Sequence, residues 1–345
     1  METITVGNHL LGGDLPFVIA EAGVNHDGDV AKAHTLIDVA AEAGAGSVKF
    51  QTFEASSLVA ENTSSAPYQE RATGSSSQSE LLQALSLPRS AWRELSDHAS
   101  EKGLLFLSTP FDLASADLLL ELGVPALKVP SGELTNLAFI RRLAELGVPL
   151  LISTGMASLD EVGAALEAAA AAPGRALFHC VSAYPAPFED CNLLAIPAMA
   201  EQFDVPVGWS DHTAGSTAAV ASAALGARIF EKHFTLDSTA PGPDHAASLE
   251  PEELAEYISD VSTAVQMLGD GKKRRMPSEF ENAPLVRRSW HVRRDLPAGH
   301  VISTDDVIAL RPETGVSVAV DIVGRTTTRA VATGDALVPD AVTAE

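Results

Sequence analysis

Only two cysteines occur in 345 residues, Cys180 and Cys191, and their spacing matches neither a metal-binding pair nor a disulfide framework. Lys and Arg total 23 against 46 Asp and Glu, a formal charge of −23. That balance makes nucleic acid and anionic membranes poor partners for the chain as a whole. No apolar run approaches the roughly 18 residues a membrane span needs, and the N-terminus lacks the basic-then-apolar order of a secretory signal. No Gly-x-Gly-x-x-Gly follows the first strand-like segment, which argues against dinucleotide binding. The expectation left by these absences is a cytoplasmic protein acting on small molecules.

What is present is a repeating pattern. Short apolar runs alternate with amphipathic ones from position 17 to about 268. The strand candidates are FVIAE (17–21), SVKFQ (47–51), LLFLS (104–108), ALKVP (126–130), PLLIS (149–153), ALFHC (176–180), VPVGW (205–209) and RIFEKHF (228–234). Helix candidates such as 29–44 and 158–172 lie between them, and Gly44, Gly103, Gly123, Gly147 and Gly226 sit where helix C-caps belong. Eight such units in about 250 residues predict a (β/α)8 TIM barrel. A hairpin over 3–13 is expected ahead of the first strand, and the polar stretch 54–80 reads as a lid over the barrel mouth.

Of the 23 Lys and Arg, 11 fall between Lys272 and Arg329. The run GKKRRMPSEFENAP (271–284) reads as a solvated linker rather than a nucleic-acid patch, and residues 289–345 change to short β-type runs with turn signals. The expected organisation is a barrel over 1–270, a linker over 271–288 and a small second domain over 289–345.

In a (β/α)8 barrel the C-terminal strand ends converge on one pocket. Here those ends carry Glu21, Lys49 with Gln51, Ser108 with Thr109, Lys128 with Ser131 and Glu133, Ser153 with Thr154, His179 with Ser182 and Tyr184, Ser210 with Asp211 and His212, and Lys232 with His233. His212 and His233 end neighbouring strands, so they read either as two ligands of one divalent metal or as a hydrogen-bonded pair of core histidines. Lys49 and Lys128, rare cations in an acidic barrel, describe with Ser131, Ser153 and Ser210 a phosphate or carboxylate site. Candidate bases are Glu21, Glu133 and Asp244, the last equally readable as a turn residue in PGPDH.

The ordered motifs IAEAGVNHDG, VKFQTF, LSTPFD, LKVPSGELTN, ISTGMAS, HCVSAYPAP, GWSDHT, EKHFTLD and PGPDHAASLEP closely resemble those of the sialic acid synthases and their legionaminic and pseudaminic acid relatives. The resemblance extends to the tail, which looks like the family's antifreeze-like (SAF) domain. It implies condensation of phosphoenolpyruvate (PEP) with the open-chain aldehyde of an N-acyl mannosamine, releasing phosphate by C–O cleavage. N-acetylmannosamine is the favoured acceptor, and a 2,4-diacetamido-2,4,6-trideoxymannose leading to legionaminic acid is the alternative.

By the same resemblance His212 and His233 bind a divalent metal, Mn or Mg. Lys49, Thr109, Lys128, Ser131, Ser153, Ser182 and Ser210 align with positions that bind PEP. Glu21, Tyr184 and Asp244 align with residues near the sugar, Glu133 with an acid/base candidate, and Arg311 with an arginine offered to the acceptor of a second subunit in a domain-swapped homodimer. Two departures stand out: Ser182 occupies a position that is Asn in some sialic acid synthases, and RPETG replaces the family's Arg-Pro-Gly-x-Gly. Remoter readings are a Schiff-base aldolase using Lys49 or Lys128 and a non-catalytic carbohydrate- or ice-binding protein.

Overall fold

The structure, a computed structural model, describes residues 3–60, 63 and 77–344. The chain divides into two compact units, Met1–Gly269 and Asp270–Glu345.

Eight strands of the first unit form one parallel sheet: β3 (Phe17–Gly23), β4 (Ser47–Thr52), β5 (Leu105–Pro110), β6 (Leu127–Val129), β7 (Leu150–Ser153), β8 (Arg175–Cys180), β9 (Val207–Asp211) and β10 (Ile229–His233). Their order is β5-β4-β3-β10-β9-β8-β7-β6, and β5 and β6 come together across the remaining gap without a hydrogen-bonded ladder. The sheet is therefore a nearly closed barrel of the expected class. All eight strand candidates fall on these strands, with boundaries shifted by one or two residues.

The two-residue side-chain period of a strand divides the barrel wall into an inner and an outer face. The outer face, including Val18, Ala20, Val48, Phe50, Leu127, Ile152 and Phe230, packs against the surrounding helices in the main core. At the lower end of the inner face, Phe17, Ile19, Leu107, Ala126, Leu151, Ala176, Phe178 and Ile229 form a dry plug. The hairpin of β1 (Ile4–Val6) and β2 (His9–Leu11) adds Ile4, Val6 and Leu11 to that plug. With its bottom filled, the barrel keeps its cavity at the C-terminal end of its strands.

Local signals act as expected. The helix Val30–Glu42 starts at Asp29, whose carboxylate accepts from the Ala31 and Lys32 amides. Gly123 ends the helix Leu113–Leu122 in the left-handed conformation at φ 81°. The helix candidate at 158–172 forms only over Leu159–Ala168, and the chain turns through residues 169–172 ahead of Pro173. Part of the expected lid, residues 61–62 and 64–76, lies outside the described residues; its flanks form the short helices Ala55–Leu58 and Gln78–Leu85. Among the described residues no helix is long and apolar enough to cross a membrane.

In the second unit β11 (Ser289–Val292) pairs antiparallel with β12 (Val307–Leu310). Its core gathers Val292, Leu296, Ile302, Val307, Ile322, Val331 and Leu337. The stretch expected as a linker contains the helix Asn282–Val286.

Candidate active site

Above the apolar plug, the next residues on the inner face are charged or hydroxylated. The register sets Glu21 beside both Lys49 on β4 and His233 on β10, and Glu231 beside Ser210. They open into a cavity of about 710 Å³. Its walls include every barrel residue to which the sequence assigned a catalytic, substrate-binding or metal-binding role: Glu21, Lys49, Thr109, Lys128, Ser131, Glu133, Ser153, Ser182, Tyr184, Ser210, His212, His233 and Asp244. Arg311 belongs to the other unit, where it is exposed just beyond β12.

The floor is a buried network of ions. Lys49 Nζ lies 2.7 Å from Glu21 Oε2 and 3.6 Å from Glu231 Oε2, and donates to Thr109 Oγ1 at 3.0 Å. Lys128 Nζ donates to Ser153 Oγ at 2.5 Å and lies 3.9 Å from Glu231 Oε2. Ser210 Oγ donates to Glu231 Oε1 at 3.2 Å. Burial opposes the charge on Lys49, but Glu21 and Glu231 outweigh it and raise its pKa. Lys128 has less compensation, and burial lowers its pKa. Burial would raise Glu231 as well; Lys128 and Lys49 reverse that and hold it at about 2. Glu21 is pushed up to about 7 by burial, against the pull of Lys49.

This network has loose ends. Glu231 Oε2, buried between Lys49 and Lys128 at 3.6 and 3.9 Å, has no hydrogen-bond partner among the described residues, although buried polar groups in folded proteins are nearly always paired. The two lysines share only Glu231, and neither comes within hydrogen-bond distance of it, so each ammonium keeps a proton uncommitted to that carboxylate, which suits a floor that accepts an anion.

Loop backbone tightens the same wall. Gly155 N donates to Ser131 Oγ at 3.0 Å, and Ser131 Oγ sits 3.2 Å from Cys180 Sγ. A Cβ at Gly155 would collide with the hydroxyls of Ser182 and Ser131 as they stand, so a side chain there would turn both hydroxyls away from their present positions. Glu133, at the rim, accepts from Asn136 Nδ2 at 2.8 Å.

On the other side stand two imidazoles. The rings of His212 and His233 are 5.6 Å apart, with Tyr184 packed 4.2 Å from the first and edge-on at 5.8 Å to the second. Burial lowers the pKa of His212 against the opposing Val181 carbonyl. It lowers that of His233 further, helped by His212 and Lys49. Both rings are therefore neutral near pH 7, the form that binds metals.

The implied divalent ion can be tested against these donors. His212 Nδ1 donates to the Val181 carbonyl at 2.7 Å, which leaves Nε2 with its lone pair, while His233 Nδ1 is buried with no hydrogen-bond partner among the described residues. Asp244 Oδ2 is 3.9 Å from His233 Nδ1, and burial pushes the Asp244 pKa up to about 6. Among the described residues no group of three or more His, Cys, Asp and Glu is arranged as a metal cage. The donor set fits an ion held by two imidazoles, with the other positions left to water and substrate, and does not fit a closed structural site.

Of the strand-end residues that do not line this cavity, Thr154 donates to the Phe178 carbonyl at 2.9 Å, and four others face the other way. Ser108 pairs with Thr52 at 2.7 Å. His179 packs 5.3 Å from Trp209 and engages the Cys191 carbonyl at 2.8 Å. Asp211 and Lys232 pair at 3.5 Å with no exposed surface, the lysine lying over the Tyr257 ring. All four belong to the outer face. Conversely, Glu231 was not singled out from the sequence, though it lies one strand period before His233.

Comparison with known proteins agrees with this geometry. The model of the NeuB family matches residues 36–273, and that of the SAF domain matches residues 287–343. An N,N'-diacetyllegionaminic acid synthase of Legionella pneumophila is 45% identical over 308 residues, covering 87% of this chain and 86% of that protein. One from Campylobacter jejuni is 43% identical, covering 87% and 91%. Among solved structures, the N-acetylneuraminic acid (sialic acid) synthetase of Leptospira borgpetersenii superposes with a TM-score of 0.73 at 34% identity, covering 81% of this chain and 95% of that one.

Proposed function

The chain belongs to the NeuB family, a synthase with a C-terminal SAF domain, and from that premise we propose that it condenses PEP with an N-acylated aldose to give a nonulosonic acid and phosphate. The observation that carries the reading is the convergence of two buried lysines and a row of hydroxyls opposite two neutral imidazoles in one cavity.

Lys49 and Lys128, with Thr109, Ser131, Ser153, Ser182 and Ser210, hold the phosphate and carboxylate of PEP, a multiply charged anion that the acidic barrel would otherwise repel. Glu21, Tyr184 and Asp244 orient the sugar. A divalent ion held by His212 and His233 would supply Lewis-acid polarisation of the aldehyde. PEP C3 attacks the aldehyde carbon, and the aldehyde oxygen takes the electron pair and a proton. Water adds to the cationic C2 and loses a proton. The tetrahedral intermediate then expels phosphate by C–O cleavage, leaving the 2-keto group. Glu133, at the rim, is placed to manage these protons. Arg311 and a domain-swapped homodimer complete the proposal by resemblance alone.

For the acceptor, we favour the 2,4-diacetamido-2,4,6-trideoxymannose that the sequence reading ranked second. The relatives at 45% and 43% identity are both named for the diacetyllegionaminic product. In addition, part of the cavity wall is apolar, built from Val24, Phe53, Leu81 and Leu85 with Leu58, Leu82 and Phe111 around them. A 6-methyl group and a second acetamido methyl each gain about 0.8 kcal/mol by burial on such a wall. Mass spectrometry of the products formed from PEP with each sugar tests this directly. A nine-carbon diacetamido product is expected, formed faster than N-acetylneuraminate. Turnover confined to N-acetylmannosamine would restore the first ranking. A pyruvate adduct trapped by borohydride would replace the whole scheme with Schiff-base chemistry.

A further inference from the structure

Two loops far apart in sequence are stitched together behind Asp244. Asn25 Nδ2, on the first βα loop, donates to the Phe234 carbonyl at 2.7 Å and to Ser248 Oγ at 2.9 Å. Ser248 Oγ in turn donates to the Asp244 carbonyl at 2.6 Å. His245, the next residue, is buried and uses both ring nitrogens: Nδ1 is 2.7 Å from Thr235 Oγ1, and Nε2 is 2.9 Å from Asp27 Oδ1. A carboxylate only accepts, so Nε2 carries the proton and donates to Asp27. Nδ1 shares its hydrogen bond with the Thr235 hydroxyl, whose oxygen also accepts from the Asp237 amide at 3.2 Å and lies 3.3 Å from the Asp237 carbonyl. The fit is close, since a Cβ at Gly242 would collide with the His245 ring.

The arrangement of acid, imidazole and hydroxyl resembles a nucleophilic triad, but the Thr235 hydroxyl has no exposure to substrate. It works instead as a clamp. We propose that His245, held between Asp27 and Thr235, is a positioning residue that sets the Asp244 carboxylate against the acceptor sugar. The proposal rests on the reading of Asp244 as an acceptor-side group. It adds a requirement that the reading lacks: the first loop must be docked for the last loop to present its carboxylate.

The test uses the full chain and measures kcat and KM for both substrates in His245→Leu, Asp27→Gly and Asp27→Asn, each alone and combined with Asp244→Asn. Asp27 sits at φ 53°, which Gly and Asn both tolerate. His245→Leu and Asp27→Gly should lower kcat/KM for the sugar by about 10- to 100-fold while KM for PEP stays within about twofold. Asp27→Asn keeps an acceptor oxygen and should recover most of the loss. In the Asp244→Asn background the His245→Leu change should cost less than about twofold, because its effect passes through the missing carboxylate.

Equal losses toward PEP and sugar would overturn the proposal, as would full multiplicative loss on top of Asp244→Asn. If His245→Leu folds poorly, the Asp27→Gly and Asp27→Asn pair carries the same comparison. Wild-type turnover by Asp244→Asn would remove the acceptor reading and the clamp together. An impaired Asp244→Asn beside unimpaired Asp27 and His245 variants would remove the clamp alone.

Discussion

Two buried carboxylates, one in each unit, show how differently a protein can use the same group. Asp306 in the second unit is complete. Arg294 Nε and Nη2 lie 2.7 and 2.6 Å from Oδ1, while His300 Nε2, the Ser303 amide and the Ser303 hydroxyl donate to Oδ2 at 2.9, 2.8 and 2.7 Å. Glu231 in the barrel lies near two lysines, yet its Oε2 has no hydrogen-bond partner among the described residues. The first holds a loop in shape. The second holds two cations ready while leaving them donors to spare, which costs stability and is what an anion site requires.

The sharpest way to break this comparison is Glu231→Gln. It keeps the size of the side chain but removes the shared negative charge between Lys49 and Lys128, and turnover should fall by about 100- to 1,000-fold. Its Tm should move far less than that loss suggests. A normal rate with a collapsed Tm would make Glu231 a structural residue like Asp306.

Lys232→Met comes next. It strands the Asp211 carboxylate outside the barrel wall and should cost about 3 kcal/mol in denaturant unfolding, with KM for PEP unchanged because Lys232 does not reach the cavity. A selective rise in KM for PEP would mean that the outer pair communicates with the site.

Asp306→Asn should cost about 2 kcal/mol at pH 7. The pH dependence follows from its direction: hydrogen bonds from His300 and Ser303 hold the Asp306 carboxyl well below the usual carboxylate range. A depressed folded pKa contributes stability that is fully present above the unfolded value of about 3.9 and fades as pH falls toward the folded one. Thermal melts between pH 5 and pH 2, monitored by calorimetry, should therefore show wild type losing its advantage over Asp306→Asn. Parallel curves over that range would contradict the assignment.

Much of the barrel was legible because apolar runs, helix periodicity and C-cap glycines are local signals. The site was legible wherever one residue at a strand end carried the chemistry, as with Lys49, Lys128, His212 and His233. Adjacent polar residues were harder. Asp211 with His212 and Lys232 with His233 look equivalent in a list, but the strand period sends one of each pair outward, and the same period would have recovered Glu231. The clamp behind Asp244 was not legible, since Asp27 and His245 are 218 positions apart and meet only when β10 closes against β3. Gly155 gave no sign either, because the hydroxyls that a side chain there would displace belong to Ser131 and Ser182 on other loops.

The measurement closest to the central claim is the heat of PEP binding to the full chain and to its Lys128→Met and Asp306→Asn variants, below their melting temperatures. Losing a charge-assisted contact worth about 3 kcal/mol should weaken PEP binding by about 100-fold in Lys128→Met, while Asp306→Asn binds PEP as wild type does. Undiminished PEP binding by Lys128→Met would contradict the account, because the buried cations would then be part of the scaffold and not the floor of an anion site.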